Sequence, residues 1–204
     1  MPAVAIIDYG VGNLRSVEKA FCAVGVDAVV TADKETIREA ERLVLPGVGA
    51  FSTCISELRR SGFADLVGER VQVGTPLLGV CVGMQMLFEE SSEFGQSKGL
   101  GFLKGRVRRF GGGLNVPHVG WNQVSPTAIN PLFTSIPADS FFYFVHSYYC
   151  EPAEEITTVG QTDYGVRFAS VVVKQNICGV QFHPEKSQAA GLQLLKNFAC
   201  FGVR

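Results

Sequence analysis

Up to about residue 90, short apolar runs alternate with segments of helical period. Val4 to Asp8 is a run of the buried-strand type, followed by the tight turn Tyr9-Gly10-Val11-Gly12-Asn13. Apolar positions 14, 17, 20, 21 and 24 then predict an amphipathic helix from Leu14 to Val24, ended by Gly25. The same reading gives strands at Asp27 to Val30, Arg42 to Leu45 and Leu77 to Val80. It gives helices at Lys34 to Ala40, Phe51 to Arg60 and Phe63 to Val73. Strands alternating with helices imply right-handed crossovers and a parallel sheet. Ligands of such sheets sit outside the carboxyl ends of the strands.

The pattern changes after the polar stretch Ser91 to Lys98, which reads as a loop. Short β-rich segments punctuated by Gly and Pro follow. They predict strands at 105–110, 120–124, 141–146, 157–161, 168–174 and 178–181, some of them antiparallel. A last helix is expected from Ala189 to Phe201. The expected fold is α/β, a mixed and mainly parallel sheet flanked by helices, with a β-rich second half. One domain spanning residues 1–204 is the simplest division.

Composition narrows the function. Hydrophobic residues make up 47% and charged residues 18% of the 204, with a net charge of −1. The chain can bury a sizeable core, and with no basic block it is not expected to bind nucleic acid. No stretch approaches the roughly 18 apolar residues of a membrane span, and the N-terminus has no basic, signal-like start, so a cytoplasmic protein is expected. Six cysteines are scattered without a C-x-x-C pair, which supports neither a zinc site nor a redox motif.

One cysteine stands apart. Cys81 lies where the strand Leu77 to Val80 gives way to helical spacing at Met84, Leu87 and Phe88. Gly79 and Gly83 lie two residues to either side, as in a nucleophile elbow with Cys in place of Ser. The glycines suit a sharp turn with neighbouring backbone close by. Free N–H groups at the helix N-terminus would favour negative charge on the sulfur, held out from the sheet edge. The plainer alternative is a small buried cysteine that only packs.

A thiol nucleophile needs a base and a group to orient it. Of three histidines, His183 is the best placed, because His183-Pro184-Glu185 follows a strand and Pro184 keeps His183 extended. In an extended segment His183 and Glu185 can face one pocket. A capped His-Pro turn is the alternative. His146, inside the aromatic strand, fits a core or interface residue, and His118 fits a loop. Acyl transfer also needs oxyanion donors. The Val82 N–H is one candidate, and the loop Gly47-Val48-Gly49 could turn a second peptide toward the site, although taken alone it reads first as an ordinary tight βα turn. Arg15 stands where a dinucleotide fingerprint needs its third Gly, so nucleotide binding is not expected.

Taken together, these residues resemble the class I (triad) glutamine amidotransferases, a flavodoxin-like fold. Six segments carry the resemblance in order along the chain. They are residues 8–16, 45–51, 81–85, 117–122, 142–148 and 181–188. Within the family the chain is most similar to the glutaminase subunits of imidazole glycerol phosphate synthase in histidine biosynthesis. The departures are mild, Val82 and Val119 standing where Leu and Met are usual.

The resemblance implies glutamine as substrate, no cofactor and no metal. Cys81 would form a γ-glutamyl thioester, with His183 as base and acid and Glu185 orienting it. Gly47, Val48, Gly49 and Val82 would supply the oxyanion site. Gly49, Gln85, Glu93, Ser147 and Tyr148 would hold glutamine. Asn13, Trp121, Asn122, Tyr143 and Lys186 would lie against a (β/α)8 cyclase. That partner would use the ammonia on a formimino aminoimidazole carboxamide ribotide, releasing imidazole glycerol phosphate and an aminoimidazole carboxamide ribotide. GMP and carbamoyl phosphate synthetases would need further domains, and the anthranilate synthase glutaminase normally has His where Met84 stands. A cysteine peptidase, a thiol sensor or a docking subunit with a dead site would not need the whole set.

Overall fold

The structure, a computed structural model, describes residues 2–202. Residues 1, 203 and 204, which the expected domain includes, lie outside the described residues. In chain order the strands are β1 (Val4–Ile7), β2 (Ala28–Thr31), β3 (Arg42–Leu45), β4 (Leu77–Val80), β5 (Phe88–Ser91), β6 (Ser97–Lys98), β7 (Leu103–Arg109), β8 (His118–Pro126), β9 (Ser140–His146), β10 (Tyr148–Pro152), β11 (Thr158–Asp163), β12 (Arg167–Lys174) and β13 (Ile177–Val180). The helices are α1 (Leu14–Ala23), α2 (Lys34–Glu39), α3 (Phe51–Arg60), α4 (Phe63–Gln72), α5 (Val82–Met86) and α6 (Gln188–Ala199).

Strands β2, β1, β3, β4 and β13 form a parallel block in that order. Apart from Arg42, which opens β3, the side chains of β1, β3, β4 and β13 are apolar, and all four strands are buried throughout, as in a parallel sheet covered on both faces. Helix α1 packs on α6, and α3 packs on α4 and α5. From β13 the sheet continues antiparallel through β12, β10 and β7. Strand β11 branches off β12 and carries the β8–β9 hairpin. The carboxyl ends of β3, β4 and β13 therefore lie side by side, and the candidate site is built there.

Three expectations need correction. The helix after Cys81 stops at Met86, and Phe88 begins β5, where it pairs with Leu103. Ser91 to Lys98 is partly strand, since Ser91 pairs with Ser97. His118 is not in a loop: it opens β8, is 3% exposed, and sits across from His146. For Phe88 and His118 a pairing distant in sequence overrode the local signal, while Ser91 and Ser97 pair across a short turn.

Candidate active site

Cys81 joins β4 to α5 with φ 56° and ψ −114°, a strained conformation for a residue with a side chain. The flanking glycines are sterically required. A Cβ on Gly79 would lie 2.7 Å from the Gly83 carbonyl oxygen, and one on Gly83 would lie 1.9 Å from that of Leu45. The Cys81 N–H donates to the Val180 carbonyl at 2.8 Å, tying the elbow to β13. The sulfur is not at an open surface turn: Cys81 is 4% exposed, at the floor of a cleft. Helix α5 has only five residues, so its dipole is smaller than the sequence suggests.

Beyond β13 the chain bends at Gln181 and Phe182 and regains an extended backbone at His183, whose N–H donates to the Tyr143 carbonyl at 2.9 Å. Residues Pro184–Lys186 then form a 3-10 turn, not a continuing extended strand. The turn brings Glu185 back, and its Oε1 meets His183 Nδ1 at 2.9 Å. Both side chains are almost wholly buried. Burial alone would lower the His183 pKa, but hydrogen bonds with Cys81 and Glu185 outweigh it and raise it to about 9. Asn13 Nδ2 also donates to Glu185 Oε1, at 3.4 Å.

The expected oxyanion donor is occupied. The Val82 N–H donates to the Gly47 carbonyl at 3.3 Å. The neighbouring loop carbonyls are held as well. Tyr9 Oη donates to Pro46 at 2.5 Å and Cys54 Sγ to Val48 at 3.3 Å. Gly47 lies so close to the elbow that a Cβ there would meet the Gly83 nitrogen at 2.7 Å, while Gly49 uses a φ of +92°.

A cleft of about 270 Å³ opens over Cys81 and His183, and Val48, Gly49, Gln85, Glu93, Ser147 and Tyr148 line it. Glu93 Oε2 accepts the first N–H of α3, from Phe51, at 2.6 Å. Gln85 Nε2 donates to the Tyr148 carbonyl at 3.0 Å and to Gln181 Oε1 at 3.1 Å. Gln181 Nε2 in turn lies 3.9 Å from the Cys81 sulfur. Sequence reasoning gave Gln181 no role. Its place one pairing step past Val180, beside the elbow, was the available signal.

A family model described as "Glutamine amidotransferase class-I" matches residues 5–200. The chain belongs to the class-I glutamine amidotransferases. It is 50% identical to the imidazole glycerol phosphate synthase subunit HisH of Geobacter metallireducens, over 98% of each chain. To the HisH subunit of Salinibacter ruber it is 53% identical, over 95% of this chain and 92% of that one. Among solved structures, it resembles one described as a glutamine amidotransferase with a TM-score of 0.76 at 20% identity, covering 96% and 98% of the two chains. PurLQS from Thermotoga maritima gives a TM-score of 0.77 at 17% identity, over 97% and 98%. At such identities these likenesses concern the fold.

This amidotransferase carries an exposed apolar face beside its cleft. In the β8–β9 hairpin Val119 pairs with Val145, Trp121 with Tyr143 and Gln123 with Phe141. Val119, Trp121, Phe141 and Val145 are exposed, and the Trp121 and Tyr143 rings meet edge to face at 6.0 Å. Lys186 Nζ lies 5.8 Å from the Tyr143 ring centre. Trp121 is thus mid-strand, within the strand expected at 120–124. Asn122, expected beside it, alternates to the opposite face of β8, where it bonds His118 and the Asp163 carbonyl. Asn13, through Glu185, borders the His183–Glu185 pair instead.

Proposed function

We propose that this amidotransferase is the glutaminase subunit of an imidazole glycerol phosphate synthase, working in the cytoplasm and passing ammonia to a (β/α)8 cyclase. The juxtaposition that carries this reading is the buried His183–Glu185 pair against Cys81, in a cleft bordered by the apolar β8–β9 face.

In this mechanism His183 takes the Cys81 thiol proton, and the sulfur attacks the side-chain carboxamide carbon of glutamine. The C–S bond forms as the carbonyl π electrons move to oxygen. Imidazolium His183, held by Glu185, protonates the nitrogen as the C–N bond breaks, and ammonia leaves. Water then attacks the γ-glutamyl thioester as neutral His183 takes its proton, and the C–S bond breaks as His183 passes that proton to the leaving sulfur, releasing glutamate and restoring the thiol. Gln85, Glu93, Ser147 and Tyr148 hold the amino-acid end, with Glu93 as the carboxylate for the substrate ammonium. Val82 can donate to the oxyanion only after the Gly47 carbonyl leaves it, and docking of the cyclase on the hairpin face favours that change. Ammonia then passes through the cyclase barrel to the ribotide.

The test is glutamate release from glutamine by the chain, alone and with a (β/α)8 cyclase. Production of glutamate, and of imidazole glycerol phosphate only when both subunits are present, supports the proposal. A chain that binds the cyclase yet releases no glutamate refutes it.

A further inference from the structure

Behind the hairpin face, four polar groups form a line with every proton assigned. Asn122 Oδ1 accepts the Gln123 N–H at 2.8 Å, and Asn122 Nδ2 donates to the Asp163 carbonyl at 2.9 Å. These two bonds fix the amide orientation. The other Asn122 Nδ2 hydrogen faces His118 Nε2 at 3.3 Å, which must therefore accept. His118 then carries its proton on Nδ1 and donates to His146 Nε2 at 2.9 Å. His146 carries its proton on Nδ1 and donates to the Tyr148 carbonyl at 2.8 Å.

The surroundings keep both rings neutral. His118 is stacked between Phe144 and Tyr164 at 5.0 and 4.0 Å, and Phe110 covers His146 at 5.2 Å. Burial lowers His118 to about 4 and His146 to about 3. A proton on His146 Nε2 would face the His118 Nδ1 proton in an apolar cage. The carbonyl at the end of the line is the one to which Gln85 Nε2 donates at 3.0 Å.

We propose that Asn122, His118 and His146 are positioning residues for glutamine, a one-way series of donors that sets the Tyr148 carbonyl and, through it, Ser147, Tyr148 and Gln85. The proposal rests on the reading of the cleft as a glutamine site. None of the three needs to touch the reacting atoms. Their effect falls mainly on substrate binding, because Ser147, Tyr148 and Gln85 are the groups proposed above to hold the amino-acid end, although His146 also borders the cleft and Gln85 reaches the sulfur through Gln181. Asn122 opens the line from the same strand that presents Trp121 on its other face.

Asn122→Asp tests this with almost no change of volume. A carboxylate cannot donate, so it draws a proton to His118 Nε2. A neutral His118 then presents a bare Nδ1 to His146, which must move its own proton to Nε2. The bare His146 Nδ1 now faces the Tyr148 carbonyl, and that hydrogen bond is lost.

The expected result is a glutamine KM raised about tenfold with kcat changed less than about threefold, since a lost buried hydrogen bond weakens the binding it supports. The assay is glutamate release by the chain alone, so that docking does not enter. Ring 15N spectra should show protonated Nδ1 on both histidines in the wild type and a proton on Nε2 of His118 in the variant. His118→Leu should raise KM similarly, and His118→Asn, whose amide can donate from the Nδ1 position, should restore most of it. The proposal is overturned by a wild-type His146 protonated on Nε2, or by a variant whose tautomers change while KM does not. It also fails if KM rises equally in His118→Asn and His118→Leu. A wild type that does not bind glutamine would instead remove the glutamine reading, and this proposal with it.

Discussion

The Val82 N–H points at the Gly47 carbonyl oxygen, 3.3 Å away, so a backbone donor suited to an oxyanion is bonded to the chain's own loop. With Tyr9 and Cys54 holding Pro46 and Val48, a row of loop carbonyls is anchored inward. Turnover by the isolated chain should therefore be slow. Cyclase and its ribotide ligand should raise it strongly, through a difference in affinity between the two loop states. The measurement is steady-state glutamate release with and without each component. Equal rates in every arm would refute a loop-controlled site.

Cys81→Ala should abolish glutamine hydrolysis and leave the fold intact. A glutamine-derived electrophile should label Cys81 and none of the other cysteines, as read by mass spectrometry. Cys54, Cys150 and Cys178 are buried, and burial raises their thiol pKa, that of Cys54 to about 11. Cys22 and Cys200 are exposed and lie outside the cleft over Cys81. The elbow strain adds a second readout. With φ at 56°, Cys81→Gly should be equally inactive yet more stable than Cys81→Ala by about 1 kcal/mol. Calorimetric melting that ranks the two the other way would contradict the strain.

The backbone of the site was legible because its constraints show as residue types at fixed spacing. Gly79 and Gly83 mark positions where a Cβ would strike neighbouring backbone, and Pro184 restricts His183 at one sequence step. The parallel block was legible from its doubly buried apolar runs. What escaped depends on distant partners. Leu87 and Phe88 keep helical spacing with Met84, yet the pairing of Phe88 with Leu103 ends the helix. Pro117 and Gly120 signal a turn around His118, but its register against His146 makes it strand. Asn122 sits beside Trp121 in sequence and on the other side of the sheet in space. The direction of the Gly47 carbonyl leaves no mark on the sequence.

His183 gives a pH signature. Burial opposes its protonation, but the bonds to Cys81 and Glu185 win and hold it at about 9, against 6.5 for an unperturbed imidazole. The folded state thus keeps this proton more tightly than the unfolded chain. The resulting stabilisation is complete below 6.5 and is lost as pH rises through about 9. Melting temperature should fall over that window in the wild type and fall less in Glu185→Gln, whose amide holds an imidazolium more weakly. Parallel slopes for the two proteins would sink the assignment.

Trp121 is 45% exposed in the middle of the apolar hairpin face, braced edge-on by Tyr143. Exposed aromatics in such a setting often anchor interfaces. Trp121→Ala should weaken cyclase binding by about 2 kcal/mol or more. The chain's own melting temperature should change little, because much of the indole is already in water. Unchanged affinity by titration calorimetry would remove this face from the docking surface.

The last prediction separates making ammonia from using it. If the chain only supplies ammonia, its chemistry ends with hydrolysis of the thioester, and ring formation belongs to the cyclase. Cys81→Ala and His183→Ala should each stop glutamine-dependent synthesis in the assembled complex. Both should still allow synthesis from ammonium salt at alkaline pH, where free ammonia is present. The triad's task is to cleave a resonance-stabilised amide, and free ammonia presents no such bond. Docking should persist, because both side chains lie at the floor of a cleft and are almost fully buried, at 4% and 3% exposure. They therefore add little to the hairpin face. The measurement is imidazole glycerol phosphate formed from each nitrogen source, with complex formation followed separately. A variant that still binds the cyclase but cannot be rescued by ammonium would mean that this chain does more than deliver ammonia.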